Sequence, residues 1–255
     1  MEIITRLQPH IKLETVDEIC FLSGNPDRVS LIASFLENSQ KITEHRGLIS
    51  FRGVSPRTKT SITILTTGMG CPSTAIVLEE AFRAGAKVFI RIGSTGSLKS
   101  GKDMGIGTIF IPHAAIRDEG TSIRFVPPIF PATASPQLYQ ILLKAAKHLH
   151  ITPKTGVVWS TDIYYSKDPL DFQRWANFGA MCVEMESSTL FTFPATKSRD
   201  ILTGSILTSD GNLPDNTNIY SGDIEANIKS FNEGLHSAIK CAIEAVDVMK
   251  EMKIL

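Results

Sequence analysis

The stretch Lys87-Val88-Phe89-Ile90-Arg91-Ile92-Gly93-Ser94-Thr95-Gly96 joins a continuous apolar, β-branched run to an abrupt ending of glycines and hydroxyls. A run with no polar alternation suits a strand buried on both faces, as in sheets covered by helices. Similar runs recur around it. Upstream are Ile19-Cys20-Phe21-Leu22 and Ser61-Ile62-Thr63-Ile64-Leu65-Thr66; downstream are Thr108-Ile109-Phe110-Ile111-Pro112, Gly156-Val157-Val158-Trp159 and residues 201–207. Helical patterns fill the gaps over 72–84, 136–149, 184–197 and 225–252. In the last of these, Ile228, Phe231, Leu235, Ile239, Ile243, Val246 and Met249 recur at helical spacing. Strands alternating with helices predict an α/β fold of three layers (α/β/α), with a central mixed β-sheet flanked by helices. No internal repeat, low-complexity stretch or Gly/Ser linker interrupts the chain, so residues 1–255 read as one domain.

The composition narrows the function. The chain is 42% hydrophobic and 20% charged, with 26 basic and 26 acidic residues. A general nucleic-acid binder usually carries a basic surplus, and here there is none. The first twenty residues hold no continuous apolar core, and no run of about 18 apolar residues occurs, so neither a signal peptide nor a membrane span is expected. Cys20, Cys71, Cys182 and Cys241 form no CxxC and read as buried, reduced thiols of a cytoplasmic protein. His148 and His150 are close in sequence but not at an i, i+4 step, and GxSxG, Walker A and HExxH motifs are absent. Neither a metal enzyme nor a triad hydrolase is expected.

Several residues break the apolar pattern in ways that point to a ligand. Ser23-Gly24-Asn25-Pro26-Asp27-Arg28 follows the first run; Gly24 lets backbone N–H groups approach an anion, and Arg28 opens the next helix near its positive dipole end. Arg91 lies in a buried strand, where an unpaired guanidinium is costly. It needs an internal carboxylate or a bound anion, and Gly93, Ser94, Thr95 and Gly96 beside it offer hydroxyls and open backbone suited to phosphate. Val183-Glu184-Met185-Glu186-Ser187 sets two carboxylates two residues apart, on one face if the segment is extended. Such carboxylates accept hydrogen bonds from the vicinal hydroxyls of a sugar, while Met185 packs on its apolar face. The alternative is a helix start with two N-terminal acids. Tyr164, in Asp162-Ile163-Tyr164-Tyr165, either stacks on a planar base or joins the core. Thr67-Gly68-Met69-Gly70 is a permissive turn. Thr208-Ser209-Asp210 closes the last strand and leaves a carboxylate at its carboxyl end, where open α/β folds bind ligands. The polar stretches 118–135 and 211–223 read as binding loops.

Taken in order, five segments resemble the nucleoside phosphorylase family that includes hexameric purine nucleoside phosphorylases and uridine phosphorylases. They are Gly24-Asn25-Pro26-Asp27-Arg28, Glu44-His45-Arg46-Gly47, Thr67-Gly68-Met69-Gly70, Arg91-Ile92-Gly93-Ser94-Thr95-Gly96 and Val183-Glu184-Met185-Glu186. The likeness runs from His10 to about residue 250, and it departs at Asn25, where the family usually has aspartate. The resemblance implies that Gly24, Arg28, Arg91 and Ser94 hold phosphate, with Arg46 reaching in from a neighbouring subunit. Glu186 and Glu184 stand with the ribose, Met185 packs on it, and His10 of the neighbour contacts its 5′ side. Thr95, Gly96, Tyr164, Val183, Ser209 and Asp210 line the base. The expected partners are a nucleoside and phosphate, the latter a co-substrate, with no cofactor. Shared sites imply at least a homodimer, usually built into a hexamer as a trimer of dimers.

The same resemblance bears on the base. A purine leaves more readily when N7 is protonated by a nearby acid, and purine-cleaving relatives carry an aspartate where this chain has Asp210. Uridine phosphorylases instead recognise uracil with a glutamine and an arginine after the aromatic segment; Asp168 and Leu170 occupy those positions here. The stretch Arg124-Phe125-Val126-Pro127-Pro128-Ile129-Phe130-Pro131-Ala132 resembles a loop common in uridine phosphorylases. An arginine in the last helix assists the aspartate in some purine enzymes, and Asn227 or Lys229 falls there in this chain. The expectation is a purine nucleoside phosphorylase. Uridine phosphorylase is the alternative, followed by a 5′-methylthioadenosine phosphorylase, a hydrolytic nucleosidase and a nucleoside-binding protein.

Overall fold

A computed structural model describes residues 8–166, 168, 170–197 and 200–254. Residues 1–7 of the N-terminal reading, and Lys167 and Pro169 of the aromatic segment, lie outside them. The strands are β1 (Ile19–Ser23), β2 (Glu37–His45), β3 (Leu48–Val54), β4 (Ser61–Thr66), β5 (Val88–Ser97), β6 (Ile109–Asp118), β7 (Ala132–Thr133), β8 (Lys154–Thr161), β9 (Ala180–Glu184), β10 (Leu202–Asn212) and β11 (Thr217–Asn218). The helices are α1 (Pro26–Ser34), α2 (Cys71–Arg83), α3 (Ser122–Phe125), α4 (Pro136–His148), α5 (Asp171–Asn177), α6 (Ser187–Thr192) and α7 (Ile224–Glu251).

The strands make one mixed sheet in the order β11-β10-β6-β8-β9-β5-β1-β4-β3-β2, with β7 on β6. β1 runs parallel to β4 and β5, and β5 runs parallel to β10. β10 also meets β6 antiparallel, while β6, β8 and β9 lead back to β5, so these five strands close into a ring. The expected flanked mixed sheet is present, and part of it curls upon itself.

Period-two alternation explains the layers. Ile19, Phe21, Ile62, Ile64, Ile90, Ile92 and Ile206 share one core with Val29 and Ile32 of α1, Leu138 and Leu142 of α4, and Ile239 and Val246 of α7. Cys20, Leu22, Leu65, Phe89 and Leu207 share the second with Val77 and Leu78 of α2 and Leu190 and Phe191 of α6. All four cysteines are buried and unpaired, and burial raises each thiol above its ordinary pKa range. Among the described residues, no helix is long and apolar enough to cross a membrane.

The structure corrects several sequence boundaries. The helix expected over 184–197 is instead the end of β9, the short α6 and a 3₁₀ turn over Phe193–Thr196. The acids at its start belong to the strand and the turn. Glu184 accepts the Ser187 N–H on both carboxylate oxygens, at 3.0 and 2.9 Å, and so anchors α6 from outside the helix. The last strand does not stop at residue 207 but runs to Asn212, and Asp210 lies within it. The hairpin of β2 and β3 leaves no apolar signature because most of β2 is exposed. The stretch 118–135 is pinned rather than loose, since the Arg117 guanidinium donates to the carbonyls of Val126, Pro127, Pro128 and Phe130.

Candidate active site

Because β1, β4, β5 and β10 are mutually parallel, their carboxyl ends lie along one edge of the sheet. That edge gathers Gly24, the 67–70 turn, Ser94 and Asp210. Gly24 sits against this turn: a Cβ there would lie 3.0 Å from the Gly68 carbonyl and 3.9 Å from Glu186 Oε1. Asn25 caps α1, its Oδ1 accepting the Asp27 N–H at 2.8 Å. Arg28 follows in the first turn. Its Nε is buried without a hydrogen-bond partner among the described residues. Burial first, and then the charge of Arg91, lower the Arg28 pKa to about 10, against the opposing pull of Asp210 and Glu186. Two neighbouring cations, one with an orphaned donor, form an environment that an anion relieves.

Arg91 and the two glutamates form a buried knot. Arg91, Glu184 and Glu186 are 6%, 6% and 5% exposed. Arg91 Nε meets Glu184 at 3.1 Å and its Nη2 meets Glu186 at 2.5 Å. This is the internal ion pair that the sequence left open beside an anion partner. Nη1 forms no hydrogen bond or ion pair among the described residues, so Arg91 retains donors beyond the pair. Gly93 permits the arrangement, since a Cβ there would meet Arg91 Cζ at 2.8 Å. Although burial disfavours its charge, Glu186 and Glu184 hold Arg91 above its usual pKa.

The two carboxylates differ in what they have left to offer. Glu184 accepts from Arg91, the Ser160 hydroxyl, the Glu186 and Ser187 backbone and the Ser187 hydroxyl. With its oxygens so engaged, Glu184 holds the knot together. Glu186 is less engaged: besides its ion pair it accepts the Gly70 N–H, at 2.7 Å, and the Met185 backbone N–H. Burial raises its pKa, with Arg91 acting to lower it and Glu184 adding to the rise. Met185 lies half-buried between the two acids, its carbonyl accepting from the Cys71 thiol.

On the far side stands Asp210. The pairing of β10 with β5 slips by one residue there: Ser209 faces Thr95 and Gly211 faces Gly96, which leaves Asp210 unpaired. Such a bulge turns a side chain out of the alternation. Burial lifts the Asp210 carboxyl above the ordinary aspartate range, while Arg28 and the Ser94 hydroxyl oppose the rise. Thr95 and Ser209 are nearby, yet their hydroxyls bond inward, to the Val183 carbonyl at 2.6 Å and the Gly211 carbonyl at 3.2 Å. Val183 lies over Gly96, whose missing Cβ also makes room for Leu213. Tyr164 is 77% exposed and is no part of the core. Asp168 Oδ1 accepts the Leu170 N–H at 2.8 Å and serves a turn. Asn227 fastens the Ser221 carbonyl at 2.6 Å and Lys229 is exposed, so neither bonds Asp210.

Arg46 reaches the same edge further along the sheet, because β3 runs antiparallel to β4 with Ser50 opposite Leu65, which puts the β2–β3 hairpin tip at the carboxyl end of β4. His10 donates its backbone N–H to Glu80 and pairs with it through Nδ1 at 2.5 Å. Glu80 lies in the third turn of α2, roughly 14 Å along the helix from the end that touches Glu186. His45 binds the His10 carbonyl at 3.1 Å, and Arg46 follows at the exposed tip of the β2–β3 hairpin. Arg46 and Gly47 both have positive φ, 56° and 75°, as the tightest hairpin turns require. Both candidates thus lie close together, joined through His45. Ser160, Ser187 and Gly70 were missed as supports of the acids because serine and glycine carry no distinctive signal in sequence. Two surface depressions of ≈ 560 and ≈ 630 Å³, one lined by Glu79, Arg83 and Lys197 and the other by Ser135, Gln137 and Asp200, include none of the pocket residues.

Known proteins share this fold. A family model described as the phosphorylase superfamily matches residues 18–242. The guanosine phosphorylase of Halorubrum lacusprofundi is 31% identical over 248 residues, covering 95% of this chain and 99% of its own. A crystal structure of purine nucleoside phosphorylase from Toxoplasma gondii, in complex with immucillin-H, superposes with a TM-score of 0.87 at 29% identity, covering 99% of this chain and 100% of its own. A crystal structure of uridine phosphorylase from Vibrio fischeri gives 0.83 at 30% identity, covering 96% of this chain and 98% of its own.

Proposed function

The chain belongs to the phosphorylase superfamily and is a nucleoside phosphorylase, a pentosyltransferase; from that premise we propose that the nucleosides it cleaves are purine nucleosides. The observation that carries this reading is Asp210, turned out by a bulge beside Arg28 and Ser94 with its carboxyl pKa raised. A carboxyl whose pKa is raised by burial holds its proton over more of the pH range and so suits a general acid.

Phosphate lies against Gly24, Arg28, Arg91 and Ser94, its charge relieving the two arginines. The ribose hydroxyls donate to Glu186, and Met185 packs on the ring. The bond from C1′ to N9 lengthens, positive charge gathers on the sugar, and a phosphate oxygen bonds to C1′. The electron pair of the broken bond passes into the purine, whose N7 takes the Asp210 proton. Free base and ribose 1-phosphate, or its deoxy counterpart, depart, and solvent returns the proton. Positioning and preorganised charge supply most of the acceleration.

Uridine phosphorolysis is the second reading, favoured by the comparable likeness to a uridine phosphorylase and by the 124–132 loop. Against it, Asp168 and Leu170 provide no amide and guanidinium to grip uracil. A methylthioadenosine substrate would also use Asp210. Arg46, exposed at the hairpin tip, is open to a neighbouring chain and supports a site completed there, hence a homodimer at least and a hexamer in the family's manner, in an enzyme of the cytoplasm. The test is release of free base from inosine, adenosine, guanosine, methylthioadenosine and uridine, with and without phosphate. We expect phosphate-dependent release from purine nucleosides. Turnover of uridine alone overturns the purine reading, and release without phosphate overturns phosphorolysis.

A further inference from the structure

The base end of the pocket has a wall that none of the five motifs supplies. β11 folds back on β10, pairing Asn218 with Gly211 and Thr217 with Asn212. The next residue, Ile219, donates its N–H to the Asp210 carbonyl at 3.0 Å. Tyr220 therefore leaves the hairpin directly beside the acid. The segment is firmly held: the Tyr220 N–H donates to Asn218 Oδ1 at 2.8 Å, the Asn218 N–H donates to Ser221 Oγ at 2.8 Å, and Asn227 Nδ2 reaches from α7 to the Ser221 carbonyl at 2.6 Å.

Tyr164 approaches the same acid from the loop after β8, braced edge-on by Tyr165 with ring centres 4.9 Å apart. Partial burial, the Asp210 carboxylate, and the Tyr165 and Tyr220 hydroxyls together raise the Tyr164 phenol above its usual range, in keeping with a shared locale. Tyr164 and Tyr220 are 77% and 72% exposed, so both rings keep open faces. Two exposed aromatic rings near one proton donor suit a flat heteroaromatic with a ring nitrogen.

We propose that Tyr220 is a base-contacting residue, its ring and that of Tyr164 flanking the nucleobase across Asp210. The inference rests on reading Asp210 as the acid of the nucleoside site. It also deepens the choice of substrate, because a bicyclic purine covers more of both rings than a pyrimidine does, and stacking strength follows the overlapped surface. The 211–223 loop is thereby a specificity element.

The test is steady-state kinetics of Tyr220→Ala and Tyr220→Phe with inosine, adenosine and phosphate. In Tyr220→Ala we expect the nucleoside KM to rise about tenfold, within the range for loss of one aromatic stack, with the phosphate KM unchanged. Tyr220→Phe should stay near the parent. An unchanged nucleoside KM in Tyr220→Ala overturns the proposal. A binding readout separates this failure from failure of the purine reading. The Y220W variant, titrated with hypoxanthine and with uracil against the parent's background, should change its emission, and more strongly with hypoxanthine. Emission unchanged by either base overturns the contact, whereas a response to uracil in an enzyme that cleaves only uridine keeps the contact and removes the purine reading.

Discussion

At the residue scale, Asp210 and Glu186 show how burial assigns roles to similar carboxyls. Burial raises both, but Glu186 is tied to Arg91 and Gly70, while Asp210 has no direct ion pair among the described residues and feels Arg28 through space. Replacing Asp210 by asparagine removes the proton and keeps the shape. The kcat for inosine should fall by roughly 10²–10⁴-fold, the usual span of a general acid, while 7-methylinosine, already cationic at its imidazole ring, should be cleaved at close to the parent rate. Equal losses on both substrates would remove the acid from the mechanism. The pH dependence follows from the sign of the shift. A raised pKa keeps the acid protonated over more of the range, so kcat for inosine declines as pH rises through the folded-state value and kcat for 7-methylinosine does not. The native state also binds that proton more tightly than the unfolded chain, so Asp210 withdraws stability as pH rises past its unfolded value. Arg91, Glu186 and Asp210 were legible in sequence because charge in an apolar run is conspicuous. The separate duties of Glu184 and Glu186 were not, because they depend on which oxygens the fold has already filled.

At the element scale, strands buried on both faces announced themselves, and elements whose stability comes from neighbours did not. β2 is polar and mostly exposed, and exists because β3 pairs with it. The bulge in β10 is equally silent, since nothing in Thr208-Ser209-Asp210-Gly211 states that pairing will slip there, yet that slip sets the direction of the acid. α7 was read nearly to its ends, but its glycine has a meaning only packing reveals. A Cβ on Gly234 would lie 2.1 Å from the Gly107 carbonyl oxygen, and Gly107 itself has a φ of 85°. Two effects then compete in Gly234→Ala. Helix propensity favours alanine by about 1 kcal/mol, whereas forcing backbone apart in a packed core costs roughly 1–3 kcal/mol or more. A contact that short with backbone, rather than with a flexible side chain, decides for the second. Denaturant unfolding should show a lowered midpoint, and a raised one would mean that α7 and the 105–108 turn separate freely.

At the scale of the whole molecule, a formal net charge of zero sets no general repulsion between copies, and the pocket residues divide by location. Glu186, Arg91 and Asp210 gather at one part of the sheet edge, whereas Arg46 stands further along it at the β2–β3 tip, near His10, which Glu80 and His45 hold. Arg46, exposed on a strained two-residue turn, has the form of a group that functions outside its own chain. Arg46→Ala and Glu186→Ala should each abolish most activity alone. If Arg46 acts on the neighbour's phosphate, a mixed dimer of the two variants rebuilds one intact site, with Glu186 from one chain and Arg46 from the other, and concentrates both lesions in the second site. Random reassociation of equal amounts makes half the dimers mixed, so about a quarter of the parent's specific activity should return. Co-refolded variants carrying different tags provide the measurement, with phosphate-dependent release of hypoxanthine as the readout. If Arg46 instead serves its own chain, every site in the mixture lacks one residue or the other, and activity stays at the level of the separate variants.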